Sequence, residues 1–250
     1  MSGEKAVDLQ FIAPQILQIK MQDRVGKNTF SEAITQGLMD AFAEVERLPD
    51  CKVVILTGYD NYFASGGTQE QLLNLSDGRG AFTDRALYDL PLQCSVPVIS
   101  AMQGHGIGGG FVLGMFADLV VLGRENIYTA NFMRYGFTPG MGATFILPQK
   151  LGLGLATEMM LSANNYRGEE LQQRGVPFPV VPRDKVMSHA LELAQTLAEK
   201  PRVSLVALKA HLGASLREAL PATIAHEVAM HAVTFAQPEV RSKIATLFGT

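Results

Sequence analysis

Two apolar runs of strand length, Val53–Thr57 and Val98–Met102, are each followed at once by a glycine-bearing loop and then by a helical pattern. A chain that leaves a strand this way crosses over to its next neighbour, so the repetition points to an α/β fold with parallel pairing. Residues 16–21 and 119–122 read as further strands, and 31–47 as a helix with Ser31 as its cap. From Gly142 onward the pattern is helical over 153–161, 168–174, 186–200, 203–212 and 220–235, with 178–181 as one short strand. No repeat, linker or low-complexity tract divides the chain. The expectation is one domain over 1–250, an α/β core through 190 and C-terminal helices over 191–250.

The loops themselves, Phe63-Ala-Ser-Gly-Gly-Thr-Gln and Gly104-His-Gly-Ile-Gly-Gly-Gly-Phe, are where chemistry is expected. Glycine allows close backbone approach, and a helix start presents N–H groups with a partial positive charge, so each loop favours an anionic oxygen. Two such loops facing each other make an oxyanion hole. The second also fits G-x-G-x-x-G through Gly104, Gly106 and Gly109, with Glu125 about 20 residues further on, as a dinucleotide site requires. The helix between that loop and the 119–122 strand has room for about seven residues, short for a dinucleotide-binding crossover. That class remains a rival.

Composition narrows the partners. A net charge of −3 offers no broad positive field for nucleic acid. The apolar runs are strand-sized, so no membrane span is expected, and the first residues lack a secretory pattern, which gives a cytoplasmic location as the expectation. Cys51 and Cys94 sit beside apolar runs without CxxC spacing and read as reduced packing residues.

His231 falls with Ile224, Val228 and Phe235 at i, i+4, i+7 and i+11, on the apolar stripe of a helix. Two readings stay open: a buried imidazole satisfied by a carbonyl, or a proton donor suited to neutral pH. His226 lies about 140° around that helix, so the pair does not form a metal site. His105 reads as a loop residue, His189 and His211 as helix-surface residues, and Asp118 as a cap or loop anchor. Ser65 lacks the nucleophile-elbow pattern.

The runs Ile55-Leu-Thr-Gly, Phe63-Ala-Ser-Gly-Gly, Pro97-Val-Ile-Ser-Ala-Met-Gln-Gly-His-Gly-Ile-Gly-Gly-Gly-Phe, Ala117-Asp118 and Thr138-Pro-Gly-Met-Gly together resemble the enoyl-CoA hydratase/isomerase (crotonase) family. The resemblance implies a crotonase-like α/β fold, a spiral of repeated ββα units with a helical C-terminal trimerisation region, assembled as a homotrimer or hexamer. It further implies that Gly67 and Gly109 supply the two N–H groups that grip a thioester carbonyl. Gly66, Thr68, Gly108 and Phe132 would border the acyl chain, and Arg24 and Lys27 the pantetheine end, where a basic rim suits an acidic carrier protein. A plain solvated charge is the other reading of that rim. Hydratases of the family carry two glutamates that activate water. Their places here hold Val112 and Phe132, so hydration is not expected.

Finer segments, among them Met21-Gln-Asp-Arg, Tyr128-Thr-Ala-Asn-Phe-Met, Tyr135-Gly-Phe-Thr-Pro-Gly-Met-Gly-Ala-Thr and Met230-His231, resemble the decarboxylases of polyketide β-branching. That branch implies loss of carbon dioxide from 3-methylglutaconyl on an acyl carrier protein, giving 3-methylcrotonyl, with His231 as acid and no cofactor or metal. A lysine precedes Phe-Thr-Asp in that branch, whereas Ala81 precedes Phe82-Thr83-Asp84 here. Either Arg79 or Arg85 replaces its charge, or Ala81 is an inactivating replacement of that lysine; the second is the reading taken. An enoyl-thioester isomerase, an acyl-thioester hydrolase and a catalytically dead carrier-binding protein are the alternatives.

Overall fold

The computed structural model describes residues 5–80 and 87–248, which leaves Ala81 to Arg85 outside the described residues. One six-stranded sheet forms from β1 (Val7–Ala13), β2 (Ile16–Met21), β3 (Val53–Thr57), β5 (Val98–Met102), β7 (Leu119–Gly123) and β10 (Val180–Val181), with aliphatic and β-branched residues densest in β3 and β7. They lie in the order β1-β2-β3-β5-β7-β10, antiparallel between β1 and β2 and parallel throughout the rest. Every residue of β3 and β5 is buried, which is why both read as continuous apolar runs.

Each long strand hands on to a short one. The second sheet consists of β4 (Tyr62–Ala64), β6 (His105–Ile107), β8 (Ile127–Thr129) and β9 (Tyr166–Arg167), in that order. Two ββα units result: β3 and β4 lead into α2 (Gln69–Ser76), and β5 and β6 into α4 (Gly109–Met115). The short strands lie within the two glycine motifs, so the pairs Gly66-Gly67 and Gly108-Gly109 follow β4 and β6 rather than the long strands directly. These three-residue strands are too brief to leave a periodic signal. Strand β1 was equally silent, being only partly covered.

Helix α1 (Glu32–Arg47) starts where expected, with Ser31 Oγ accepting from the Ile34 N–H at 3.3 Å. After α3 (Leu90–Gln93) and α4 come α5 (Ala143–Leu151), α6 (Leu153–Ser162) and α7 (Gly168–Gln173). The C-terminal part holds α8 (Val186–Ala198), α9 (Arg202–Leu212), α10 (Ala214–Thr234) and α11 (Pro238–Leu247). Helix α8 covers one face of the large sheet, where Val186, Ala190 and Ala194 meet Ile55, Ile99 and Val121. Helix α10 begins earlier than the expected 220, running through Pro221 and spanning 21 residues.

Asp118 is the loop anchor that its position indicated. Its Oδ2 accepts from the Val98 N–H at 2.7 Å and meets Lys209 Nζ at 2.7 Å. That buried ammonium also donates to the Pro91 and Val96 carbonyls, at 2.8 and 2.9 Å. Lys209→Ala would leave a partly buried carboxylate and two carbonyls without their cation, and is expected to lower stability by about 3 kcal/mol in urea unfolding. A change within about 0.5 kcal/mol would mark the cluster as dispensable.

Candidate active site

Strands β4 and β6 pair side by side, so the two glycine loops meet. A Cβ built on Gly110 would lie 2.2 Å from the Ala64 carbonyl oxygen, and one on Gly104 2.4 Å from the Tyr62 nitrogen. Backbone packs against backbone there, which only glycine permits. The dinucleotide reading of Gly104, Gly106 and Gly109 loses its support: α4 has seven residues, and Glu125 accepts from the Arg183 N–H at 2.8 Å in an exposed loop.

The orientation of two peptide groups builds the site. The Gly66 carbonyl accepts from the Phe30 N–H at 2.7 Å, and a trans peptide places the Gly67 N–H on the opposite side. The Gly108 carbonyl is turned inward along α4, accepting from the Val112 N–H at 3.1 Å, so the Gly109 N–H points outward at the helix start. Among the described residues neither N–H has a partner. Both glycines line one cavity of about 540 Å³. The first loop is held by a capping box, with Gln71 Oε1 accepting from the Thr68 N–H at 3.0 Å and Thr68 Oγ1 from the Gln71 N–H at 3.2 Å. Gln71 Nε2 also donates to the Phe30 carbonyl at 2.8 Å.

Phe132, Phe137 and Met141 supply apolar wall, and no described lining residue is a carboxylate. Met141, at φ +63°, presses on the second loop: a Cβ on Gly109 would come within 2.5 Å of its Sδ. At the other side Tyr62 meets His105 edge to face at 5.5 Å, and Lys27 Nζ lies 5.6 Å from the Tyr62 ring centre. His105 lines the cavity as well, and its Nδ1 accepts from the Ile127 N–H at 2.9 Å. Burial and then the nearby Arg183 and Arg167 hold its pKa below the ordinary range.

Gly66, Gly67, Thr68, Gly108, Gly109, Lys27 and Phe132 thus gather around one cavity. Arg24 does not line it: its guanidinium pairs with Asp60 and lies 4.8 Å from the Tyr59 ring centre. Arg79 pairs with Asp77 at 2.9 Å, away from the lining. Ser65 Oγ donates to the Lys27 carbonyl at 2.7 Å, and Val112 is buried inside α4.

His231 is 9% exposed and stands one layer behind the wall. It lies edge-on to Phe137, at 6.5 Å between ring centres, and to Phe235, at 5.4 Å. Its Nε2 is 3.0 Å from the Thr138 carbonyl, and since a carbonyl only accepts, Nε2 carries a proton and donates. Burial lowers the imidazole pKa below 6.5, with the Thr138 and Pro139 carbonyls acting the other way. Asn131, Met141 and Glu227 went unnoticed as part of this region. Asn131 and Met141 stand inside motifs quoted from the sequence but were given no role there, and Glu227 left a signal as an acid four residues before the histidine on an otherwise apolar stripe.

Residues 12–248 match the family model described as enoyl-CoA hydratase/isomerase. The chain is 60% identical over 243 residues to the bacillaene synthase decarboxylase PksI of Bacillus subtilis, covering 97% of this chain and 98% of that protein. Among solved structures it is similar to one from a dehydratase/decarboxylase enzyme couple involved in polyketide β-branching, at 60% identity and a TM-score of 0.97, covering 98% of this chain and 100% of the other. The ECH2 decarboxylase domain of CurF from Lyngbya majuscula aligns at 46% identity and a TM-score of 0.94, with the same coverage.

Proposed function

Because the chain belongs to the enoyl-CoA hydratase/isomerase family, we propose that it is built as a decarboxylase of polyketide β-branching, acting on 3-methylglutaconyl carried by an acyl carrier protein. One observation carries this reading: the unpartnered Gly67 and Gly109 N–H groups face a cavity whose described lining offers no carboxylate to activate water. The decarboxylase names of the 60% and 46% identical relatives support it.

The bond from the terminal carboxylate to C4 breaks and carbon dioxide leaves. Its electron pair moves through the double bond onto the thioester oxygen, where the two N–H groups hold the dienolate. A proton then adds at C4, giving 3-methylcrotonyl. We assign that proton to His231, the imidazole packed edge-on against the Phe137 wall, histidine being the side chain type suited to give a proton near neutral pH. No metal or other cofactor enters these steps.

Lys27 at the cavity suits the phosphate and acidic surface of a carrier-borne arm. Val203, Leu212 and Val233 leave apolar surface exposed on α9 and α10, where we place the contact of a homotrimer or hexamer. No described helix is long and apolar enough to cross a membrane.

The assignment of the acid is tested by pH. Only the imidazolium delivers a proton, and it is lost as pH rises through a pKa that burial holds below 6.5. In an active form kcat/KM, which reports the free enzyme, should therefore fall with rising pH, with its midpoint below that value. A profile flat between about pH 5 and 8 would remove His231 from the role. The reaction itself is tested by carbon dioxide loss from the carrier-bound thioester.

A further inference from the structure

Helix α10 carries a second polar group inside the molecule, one turn before His231. Glu227 is 1% exposed, and its carboxylate is spent on the start of α5. Oε2 accepts from the Gly142 N–H at 2.7 Å, while Oε1 accepts from the Thr144 N–H at 2.9 Å and from Thr144 Oγ1 at 2.6 Å. These donors follow Met141, the residue that presses on Gly109. A continuous path therefore runs from α10, through one carboxylate, to the turn beside the second oxyanion donor.

A buried carboxylate is a costly way to fill space, and an apolar side chain of similar size is often no less stable. What the carboxylate adds is direction: three donors converge on two oxygens, so α10 cannot slide or rotate on α5 without breaking them. Burial raises the Glu227 pKa while the same three donors oppose the rise. The steps of the reaction leave this group unused.

We propose that Glu227 is a positioning residue: by tying α10 to the start of α5, it sets where the imidazole of His231 stands relative to the Gly67 and Gly109 donors. This rests on His231 being the acid of the decarboxylation. The dienolate has two basic carbons. Protonation at C4 gives 3-methylcrotonyl, whereas protonation at C2 gives the isomer with a terminal double bond. Which one forms depends on where the acid stands, and the ratio does not depend on how much of the protein is folded.

The test compares Glu227→Gln and the milder Thr144→Val, each combined with Ala81→Lys, against Ala81→Lys alone, on 3-methylglutaconyl-acyl carrier protein. The amide of Glu227→Gln sets a donor against donors, and Thr144→Val removes one hydrogen bond. Glu227→Gln should lower kcat by about 10- to 100-fold, with KM changing far less, since a misplacement near 1 Å carries a cost of that order. It should also raise the share of the terminal isomer, with Thr144→Val changing both in the same direction but less. An unchanged isomer ratio in both variants would overturn the proposal, even if activity fell together with thermal stability. If Ala81→Lys itself releases no carbon dioxide, the decarboxylation reading fails separately, and NMR decides the positioning. The imidazole protons of His231, identified by their loss in His231→Gln, are shifted by the Phe137 and Phe235 rings. Movement of those resonances in Glu227→Gln would keep the positioning, and unmoved resonances would end it.

Discussion

The substitution Ala81→Lys raises the rate of carbon dioxide loss from 3-methylglutaconyl-acyl carrier protein by about 100-fold or more, on the scale of one well-placed electrostatic group. Position 81 lies outside the described residues, but the need for a cation is chemical. The bond that breaks must stand upright on the plane of the double bond before its electrons can flow into it, and a cation gripping the carboxylate holds that geometry. An alanine grips nothing. Arg79, the substitute considered from the sequence, is committed elsewhere: its guanidinium pairs with Asp77, whose carboxyl Arg241 holds below the usual range. Single-turnover rates of the two forms measure the effect directly, and equal rates would mean that another cation already does the work.

Gly66→Ala removes most of whatever rate is present in the lysine form, about 100- to 1000-fold in kcat, as expected when an oxyanion donor is lost. The added Cβ would stand 3.0 Å from the Gly109 nitrogen and 3.1 Å from the Ile107 carbonyl oxygen. Both are backbone atoms and cannot turn aside, so the loops part and the donor is covered. Gly66 also has φ +75°, which alone strains an alanine. Gly78 separates the two effects, since it has φ +71° and nothing within 4 Å of its added Cβ. Gly78→Ala should therefore share the loss of thermal stability due to strain and keep kcat within about twofold. Equal kcat losses in both variants would trace the effect to backbone strain rather than to the oxyanion site.

The long strands and α1 could be read because burial on both faces, or a cap followed by an amphipathic stripe, leaves a mark over many residues. The short strands of the second sheet left none, and so two strands lying inside the glycine motifs themselves, β4 and β6, were missed. The pairing of β4 with β6, which brings Gly66 against Gly109, is a contact between residues about forty apart in sequence, and no local pattern encodes it. Arg24 is a different case. From the sequence it could be part of a binding rim or a solvated charge, and neither reading told that its partner is Asp60, distant in sequence. The carboxylate of Glu227 was hidden for a related reason, since its value lies in donors some 85 residues before it.

The central claim is that this fold takes carbon dioxide from a carrier-bound 3-methylglutaconyl group without hydrating it. The most direct measurement is mass spectrometry of 3-methylglutaconyl-acyl carrier protein incubated with this chain and with its Ala81→Lys form. Loss of the mass of carbon dioxide is expected with the lysine form, little or none with Ala81, and no gain of water on a crotonyl thioester with either. An intact acyl group in both incubations, or hydration of the crotonyl thioester, would contradict it.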